Sequence, residues 1–336
     1  MKRRGVALVG AALGAAGALA WSGWTLERVV AKRLQADEEE LRAAGLTVPS
    51  EARSQVIEAS DGGRIHAIEL GSGPCIVLLH GITLNASIFA PVLRAMSATH
   101  RVIAIDLRGH GNSVAGSDPL TMERVVQDVA EAMVALNVKE SVLVGHSMGG
   151  MVAQQLLVEH ADAMAERVAH LVLLSSSAGP GSQSSPERFM LRGVEGVAQR
   201  GLRHRAAEGE GVFPSNDAAI WLARVGFGRR PDPAAVELAK AVTQSTPPGV
   251  VATLLEELFD FDGRDYLVSI TQAATVMVGT LDVLTPPRHA RAMASLMRNA
   301  EYQEIRGAGH MIMLEATGEL IARLEAASWR SRHPSA

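Results

Sequence analysis

The sequence has one cysteine, Cys75, in 336 residues. That excludes a disulfide framework and any cysteine-rich metal site. Cys75 opens the run Cys75-Ile76-Val77-Leu78-Leu79, the setting of a buried core thiol and not of a reactive one. Charge of one sign is also lacking, since the formal net charge is only −4. A nucleic-acid partner would call for a basic stripe, and no such partner is expected. Internal repeats are absent. His80, His110 and His146 have no carboxylates at ligand spacing, so neither a metal nor another cofactor is expected. What is present is apolar residue in quantity, 47% of the chain, enough to bury a sizeable core. The length suits one large α/β domain carrying an insertion.

The amino terminus stands apart. Lys2, Arg3 and Arg4 precede an uncharged stretch over residues 5–26, rich in Ala, Gly, Leu and Val, with Trp21 and Trp24 near its far end. About 20 apolar residues suffice for a helix to span a bilayer, and Trp suits the interface. Residues 1–34 therefore read as a single-pass anchor in the cell membrane. A cleaved signal segment with Ala18-Leu19-Ala20 as its small-residue site, giving a secreted protein, is the alternative. An Ala/Gly-rich helix packed on the domain is the plainest third reading. The leading cations place the rest of the chain on the external face, although Arg28, Lys32 and Arg33 oppose that orientation. Residues 35–53 read as a solvated linker.

From residue 54 short β runs alternate with helical stretches. Strands are expected over 54–59, 64–70, 75–79, 102–105, 141–144, 169–174, 274–278 and 301–305, and helices over 122–136, 148–159, 288–297 and 315–327. Several strands are continuous apolar runs, as expected where both sheet faces are covered. The pattern predicts an α/β fold with a mostly parallel eight-stranded sheet and helices on both faces. Asp61-Gly62-Gly63 joins the first two strands as an antiparallel hairpin. No convincing strand falls between Leu174 and Ala274. A Gly/Ser-rich hinge over 175–185 leads instead into helical pieces carrying Phe189, Met190, Leu191, Phe213, Trp221 and Leu222. The core is thus expected over 54–176 and 268–330, with an inserted helical cap over 177–267.

Gly145-His146-Ser147-Met148-Gly149 has the G-x-S-x-G pattern and lies between an apolar strand and an amphipathic helix. A tight strand-to-helix turn there pushes the Ser147 hydroxyl out at the carboxyl end of the sheet, with a helix amino terminus beneath it. A serine needs a base. Of the 11 histidines, His310 in Gly309-His310-Met311 directly follows the last strand. An orienting carboxylate is also needed, and Asp282 follows the strand over 274–278. Asp260, Asp262 and Asp265 are rivals that close no sheet strand. The oxyanion requires two donors: the Met148 backbone N–H, and the Ile82 N–H from the loop His80-Gly81-Ile82-Thr83.

Leu79-His80-Gly81, Asp106-Leu107-Arg108-Gly109-His110-Gly111-Asn112-Ser113, Gly145 to Gly150, Gly279-Thr280-Leu281-Asp282 and Gly309-His310 together resemble the α/β-hydrolase superfamily over residues 54–327. The order Ser147, Asp282, His310 is that of the superfamily. The chain also resembles bacterial, especially actinobacterial, hydrolases with a hydrophobic amino-terminal helix. The resemblance implies Ser147, Asp282 and His310 as triad, Ile82 and Met148 as oxyanion donors, and a structural role for the loop 106–113. Relatives that use aspartate as nucleophile, the epoxide hydrolases and haloalkane dehalogenases, are disfavoured by Ser147. The loop after Gly81 lacks the proline and aromatic of many relatives. The expected activity is that of a serine esterase, lipase-like, on a small and hydrophobic ester. Carbon–carbon or thioester hydrolysis, or a perhydrolase activity, remains open on the same triad, as does a non-catalytic membrane-tethered binding module.

Overall fold

Successive side chains of a strand point to opposite faces, so an all-apolar strand needs cover on both sides. The computed structural model, which describes residues 37–179, 196, 198–212 and 223–333, meets that requirement. Its eight strands are β1 (Arg53–Glu58), β2 (Arg64–Leu70), β3 (Cys75–Leu79), β4 (Arg101–Ile105), β5 (Ser141–His146), β6 (Val168–Leu174), β7 (Ala273–Gly279) and β8 (Ala300–Ile305). They form one sheet in the order β1-β2-β4-β3-β5-β6-β7-β8. β2 pairs antiparallel with β1 and with β4, and every other pair is parallel.

The two faces are visible in the core. Val77, Leu79, Ile103, Leu143, Leu173 and Val276 belong to one buried cluster. It is closed by α3 (Met122–Ala135), α4 (Met148–Glu159), α8 (Arg264–Ser269) and α9 (Pro287–Leu296), through residues such as Val129, Leu156, Leu267 and Met293. The alternate residues Ile76, Leu78, Val102, Val144, Val172 and Met277 belong to the other. There the cover is α2 (Ala90–Met96), α6 (Pro233–Ser245) and the pair α10 (Ile312–Glu315) and α11 (Thr317–Arg332), through Leu93, Val236, Ile312 and Leu324. Each fully buried aliphatic side chain contributes about 1.5–3 kcal/mol relative to exposure. Other helices include α1 (Glu38–Ala43), α5 (Ala161–Met164) and α7 (Pro248–Asp260).

The expected strands and helices fall where the periodicity put them, mostly within two residues. The last helix differs, because a short α10 and a break at Ala316 precede α11, which runs on to Arg332. Between β6 and β7 the described residues hold a helical stretch over 198–207 and α6, α7 and α8, and no strand. Phe189, Met190, Leu191, Phe213, Trp221 and Leu222, with hinge residues 180–185, lie outside the described residues.

Two expectations at the amino-terminal side change. Residues 37–53 are not a bare linker. Asp37 and Glu40 form a reciprocal capping box that starts α1, and Leu46 beyond it is 7% exposed and packed in the second cluster. The membrane reading is also corrected. Among the described residues no helix is long and apolar enough to cross a membrane. The longest, α11, has 16 residues and carries Glu319, Arg323, Glu325, Arg330 and Arg332, where about 20 apolar residues are needed. The single-pass anchor, the external face and the secreted alternative therefore have no support among the described residues. Residues 1–34, on which they were read, lie outside the described residues.

The loop after β4 is held by charge. The Arg108 side chain is fully buried; its Nε donates to Asp128 Oδ2 at 2.6 Å and its Nη2 to Asp61 Oδ1 at 2.9 Å. These bonds pin the β1–β2 turn and α3 to the segment leaving β4. Removing one partner of such a group strands charge in the core, which costs about 3–5 kcal/mol. Arg108→Ala is expected to lower the unfolding free energy by about that amount, read from the urea midpoint at unchanged m-value. A shift under about 1 kcal/mol would show that water reaches the two aspartates.

Candidate active site

β5 runs straight into α4, and Ser147 is the hinge between them. Its backbone lies at φ 53° and ψ −119°, a left-handed setting that L-residues avoid. Such a conformation stores about 1–3 kcal/mol and persists only where the surroundings enforce it. Here they do. The Ser147 N–H donates to Leu174 O at 3.0 Å, and the Ser147 carbonyl accepts from Ser176 Oγ at 2.8 Å. A Cβ on Gly145 would collide with the backbone of Gly149 and Gly150, and one on Gly149 with Leu79 O. The two glycines of the motif are thus close approaches of backbone to backbone. Serine at a helix N-cap normally accepts from an N–H of the first turn. Ser147 makes no such bond, which leaves its hydroxyl uncommitted to the helix.

The expected base and acid meet. His310 Nδ1 and Asp282 Oδ2 are 3.0 Å apart, with both side chains buried. The other carboxylate oxygen, Asp282 Oδ1, accepts the N–H groups of Leu284 and Thr285 at 2.9 and 2.8 Å. Burial alone would raise the Asp282 carboxyl. The charge and hydrogen bond of His310, with the Thr285 N–H and hydroxyl, outweigh it and hold the group below the ordinary aspartate range. An ionised Asp282 accepts only, so His310 Nδ1 carries the proton on this side and Nε2 is the nitrogen left to take one. The two loops touch through glycine: a Cβ on Gly279 would collide with Gly309 O. Of the rival carboxylates, Asp262 accepts from the Arg264 N–H at 3.2 Å and from its Nε at 2.8 Å.

Met148 is the first residue of α4, where the backbone N–H has no acceptor within the helix. Ile82 lies in the turn after β3, and its carbonyl is fixed by His110 Nε2. His80 Nδ1 donates to Gly81 O at 2.8 Å and its Nε2 accepts from Leu107 N–H at 2.9 Å. Burial, with His110 beside it, pushes the His80 imidazole down to about 3, so it is a neutral structural link. Asp106 binds the N–H groups of Ala86 and Asn112 and the ring of His66, so the loop 106–113 braces this region through its carboxylate. The missing proline and aromatic after Gly81 are replaced by support from α6: the Thr246 hydroxyl donates to Thr83 O at 3.1 Å, and Asn85 Nδ2 reaches Ser245 Oγ at 3.3 Å.

Three participants escape reading in sequence. The Thr285 hydroxyl donates to Asp282 Oδ2 at 2.8 Å and lies 3.2 Å from His310 Nδ1. Its only sequence signal is the local pattern of Asp282 bonding the chain two and three residues on, as Asx turns do. His146 is fully buried; its Nε2 donates to His310 O at 3.0 Å and its ring lies 4.7 Å from that of His310. Glu315 accepts from Gly309 N–H at 2.8 Å and Gly228 N–H at 2.6 Å. Nothing local marks the last two as a pair of links to the His310 loop, because His146 meets it across 164 residues and Glu315 ties it to Gly228 across 87.

A mostly parallel α/β sheet with a strained serine at a strand-to-helix turn after β5, and a His–Asp pair from the loops after β8 and β7, defines a nucleophile-elbow architecture. Residues 76–324 match the model of the alpha/beta hydrolase family, and the chain belongs to that family. It is 26% identical over 256 residues to a pimeloyl-[acyl-carrier protein] methyl ester esterase of Aliivibrio salmonicida, covering 76% of this chain and 92% of the relative. It is 27% identical over 292 residues to the polyketide synthase ThaQ of Burkholderia thailandensis, covering 83% of this chain but 13% of that much longer protein. A thermophilic esterase from Thermogutta terrifontis superposes with a TM-score of 0.70 at 25% identity, over 83% of this chain and 99% of its own. Neither the family match, which begins at residue 76, nor these relatives support the resemblance to hydrolases with a hydrophobic amino-terminal helix.

Proposed function

We propose that the protein hydrolyses carboxylic esters through an acyl-enzyme on Ser147. The observation that carries this reading is the buried His310–Asp282 pair at 3.0 Å, together with a serine at the strand-to-helix turn whose hydroxyl caps no helix N–H. Ser147 Oγ attacks the ester carbonyl while His310 Nε2 takes its proton. Asp282 holds the imidazole in the tautomer this requires and stabilises the imidazolium. The N–H groups of Ile82 and Met148 bind the oxyanion. His310 then returns the proton to the departing alkoxide, and a water activated by the same nitrogen frees the acid. The likeness to two esterases supports an ester over other acyl compounds. The apolar composition of the insertion supports a small substrate with a hydrophobic part.

A substrate panel tests this. p-Nitrophenyl esters of graded chain length, a methyl ester, a thioester and a vinylogous diketone are offered in parallel, and a fluorophosphonate probe is mapped by mass spectrometry. Turnover of the oxygen esters is expected to exceed that of the other two classes, with the probe on Ser147. A preference for the diketone or the thioester would replace the ester assignment, and a probe that leaves Ser147 unlabelled would remove it as nucleophile.

A further inference from the structure

The loop that presents His310 is not held by the core alone. A short segment of the insertion, just before α6, lies along it. Gly226 O accepts from the N–H of His310 itself at 2.8 Å and from that of Met311 at 3.2 Å, and Arg229 N–H donates to Gly307 O at 3.2 Å. The fit is backbone to backbone: a Cβ on Gly228 would collide with Gly307 O, and one on Gly309 would lie 2.5 Å from the Phe227 carbonyl carbon. Glu315 closes this junction. One carboxylate oxygen takes Gly309 N–H, next to His310, and the other takes Gly228 N–H from the insertion. On the far side, Arg224 Nη1 donates to Phe227 O at 2.9 Å and steadies the same segment.

We propose that Glu315 is a positioning residue for His310, acting as the strut that locks the insertion segment 226–228 against the base loop. It touches neither Ser147 nor Asp282, and it sets the base through the backbone on its amino-terminal side. A bidentate carboxylate is suited to this because it accepts only, and both groups it meets are donors. Glutamine in its place keeps one acceptor and turns an NH₂ towards the other N–H. Alanine removes both acceptors and leaves two backbone donors without partners. A displacement of the base of about 1 Å costs roughly 10²-fold in rate. The inference rests on the ester-hydrolase reading for its kinetic part only.

The test compares full-length wild type, Glu315→Ala and Glu315→Gln, with Ser147→Ala as background. p-Nitrophenyl acetate, too small to fill a cap, reports kcat and KM, and fluorophosphonate titration gives the fraction of competent sites. The low-field proton resonance shared by His310 Nδ1 and Asp282 reports the pair directly, without turnover. Glu315→Ala is expected to lower kcat per competent site by about 10–100-fold with KM within about threefold. Glu315→Gln is expected to lie between it and wild type, and both should broaden or shift the resonance. Wild-type kcat per site together with an unaltered resonance in either variant overturns the proposal, as does a loss of competent sites with no change in kcat per site. Should Glu315→Ala fail to fold, the near-isosteric Glu315→Gln decides. Should wild type hydrolyse no ester, that reading fails by itself, and the resonance in Glu315→Gln still decides this one.

Discussion

Ser147→Ala is expected to lower kcat on an oxygen ester by about 10⁶-fold, leaving only the rate that oxyanion binding supplies. KM should stay within about twofold, because the hydroxyl acts on the reacting carbon and not on the bound substrate. The fold should tolerate the change: Ser147 Oγ caps no helix N–H, so its loss orphans nothing in α4. Ser147→Gly sharpens the point. Its backbone at φ 53° and ψ −119° stores about 1–3 kcal/mol in any L-residue, whereas glycine adopts it freely. Against that stands the added freedom of glycine in the unfolded chain, about 0.5–1 kcal/mol. Relief of strain wins, and the inactive glycine variant should be more stable than wild type by about 1 kcal/mol in urea unfolding. A glycine variant that is less stable, or an alanine variant that keeps more than about a thousandth of the rate, contradicts this account of the turn.

Asp282→Asn is expected to lower kcat by about 10⁴-fold with little change in stability. The structure dictates how the amide must sit. Asp282 Oδ1 accepts two backbone N–H groups, from Leu284 and Thr285, so the oxygen of an asparagine belongs there. Its NH₂ then replaces Oδ2, facing His310 Nδ1 and the Thr285 hydroxyl. A donor opposite Nδ1 forces the imidazole to present a lone pair on that side and to carry its proton on Nε2. That is the tautomer unable to accept the Ser147 proton. Asp282→Ala, which imposes no tautomer, should lose less than Asp282→Asn despite being the larger deletion. Equal losses in the two variants would place the role of Asp282 in charge alone. Fluorophosphonate labelling rates and kcat together make the measurement.

Much of this architecture could be read from the chain. β3 is a continuous apolar run, and β5 and β6 carry the apolar runs 142–144 and 171–174, whose alternate residues feed two cores, while Gly145 and Gly149 flank Ser147 because backbone passes within contact there. Asp282 and His310 are legible because each follows the end of a strand. The start of α1 is also written in the sequence, since Asp37-Glu38-Glu39-Glu40 has capping-box spacing, although an acidic run of this kind is equally the composition of a solvated linker. The apolar amino-terminal stretch spoke only of composition, which does not say where a segment resides. Glu315 and His146 were illegible for another reason. Glu315 finds Gly228 across 87 residues, and His146 finds His310 across 164. Neither distance leaves a periodicity, a spacing or a turn signal behind.

The segment between β6 and β7 braces both sides of the proposed reaction centre. Thr246, at the carboxyl end of α6, steadies the turn after β3, and Gly226 holds the amide of His310. Chimeras that exchange this segment with a relative's, in the hope of importing a new substrate range, would therefore exchange part of the catalytic scaffold as well. A graft that carries over Gly226, Gly228 and Thr246 should keep turnover and change selectivity, whereas one that carries only the pocket lining should bind its intended substrate and process it slowly.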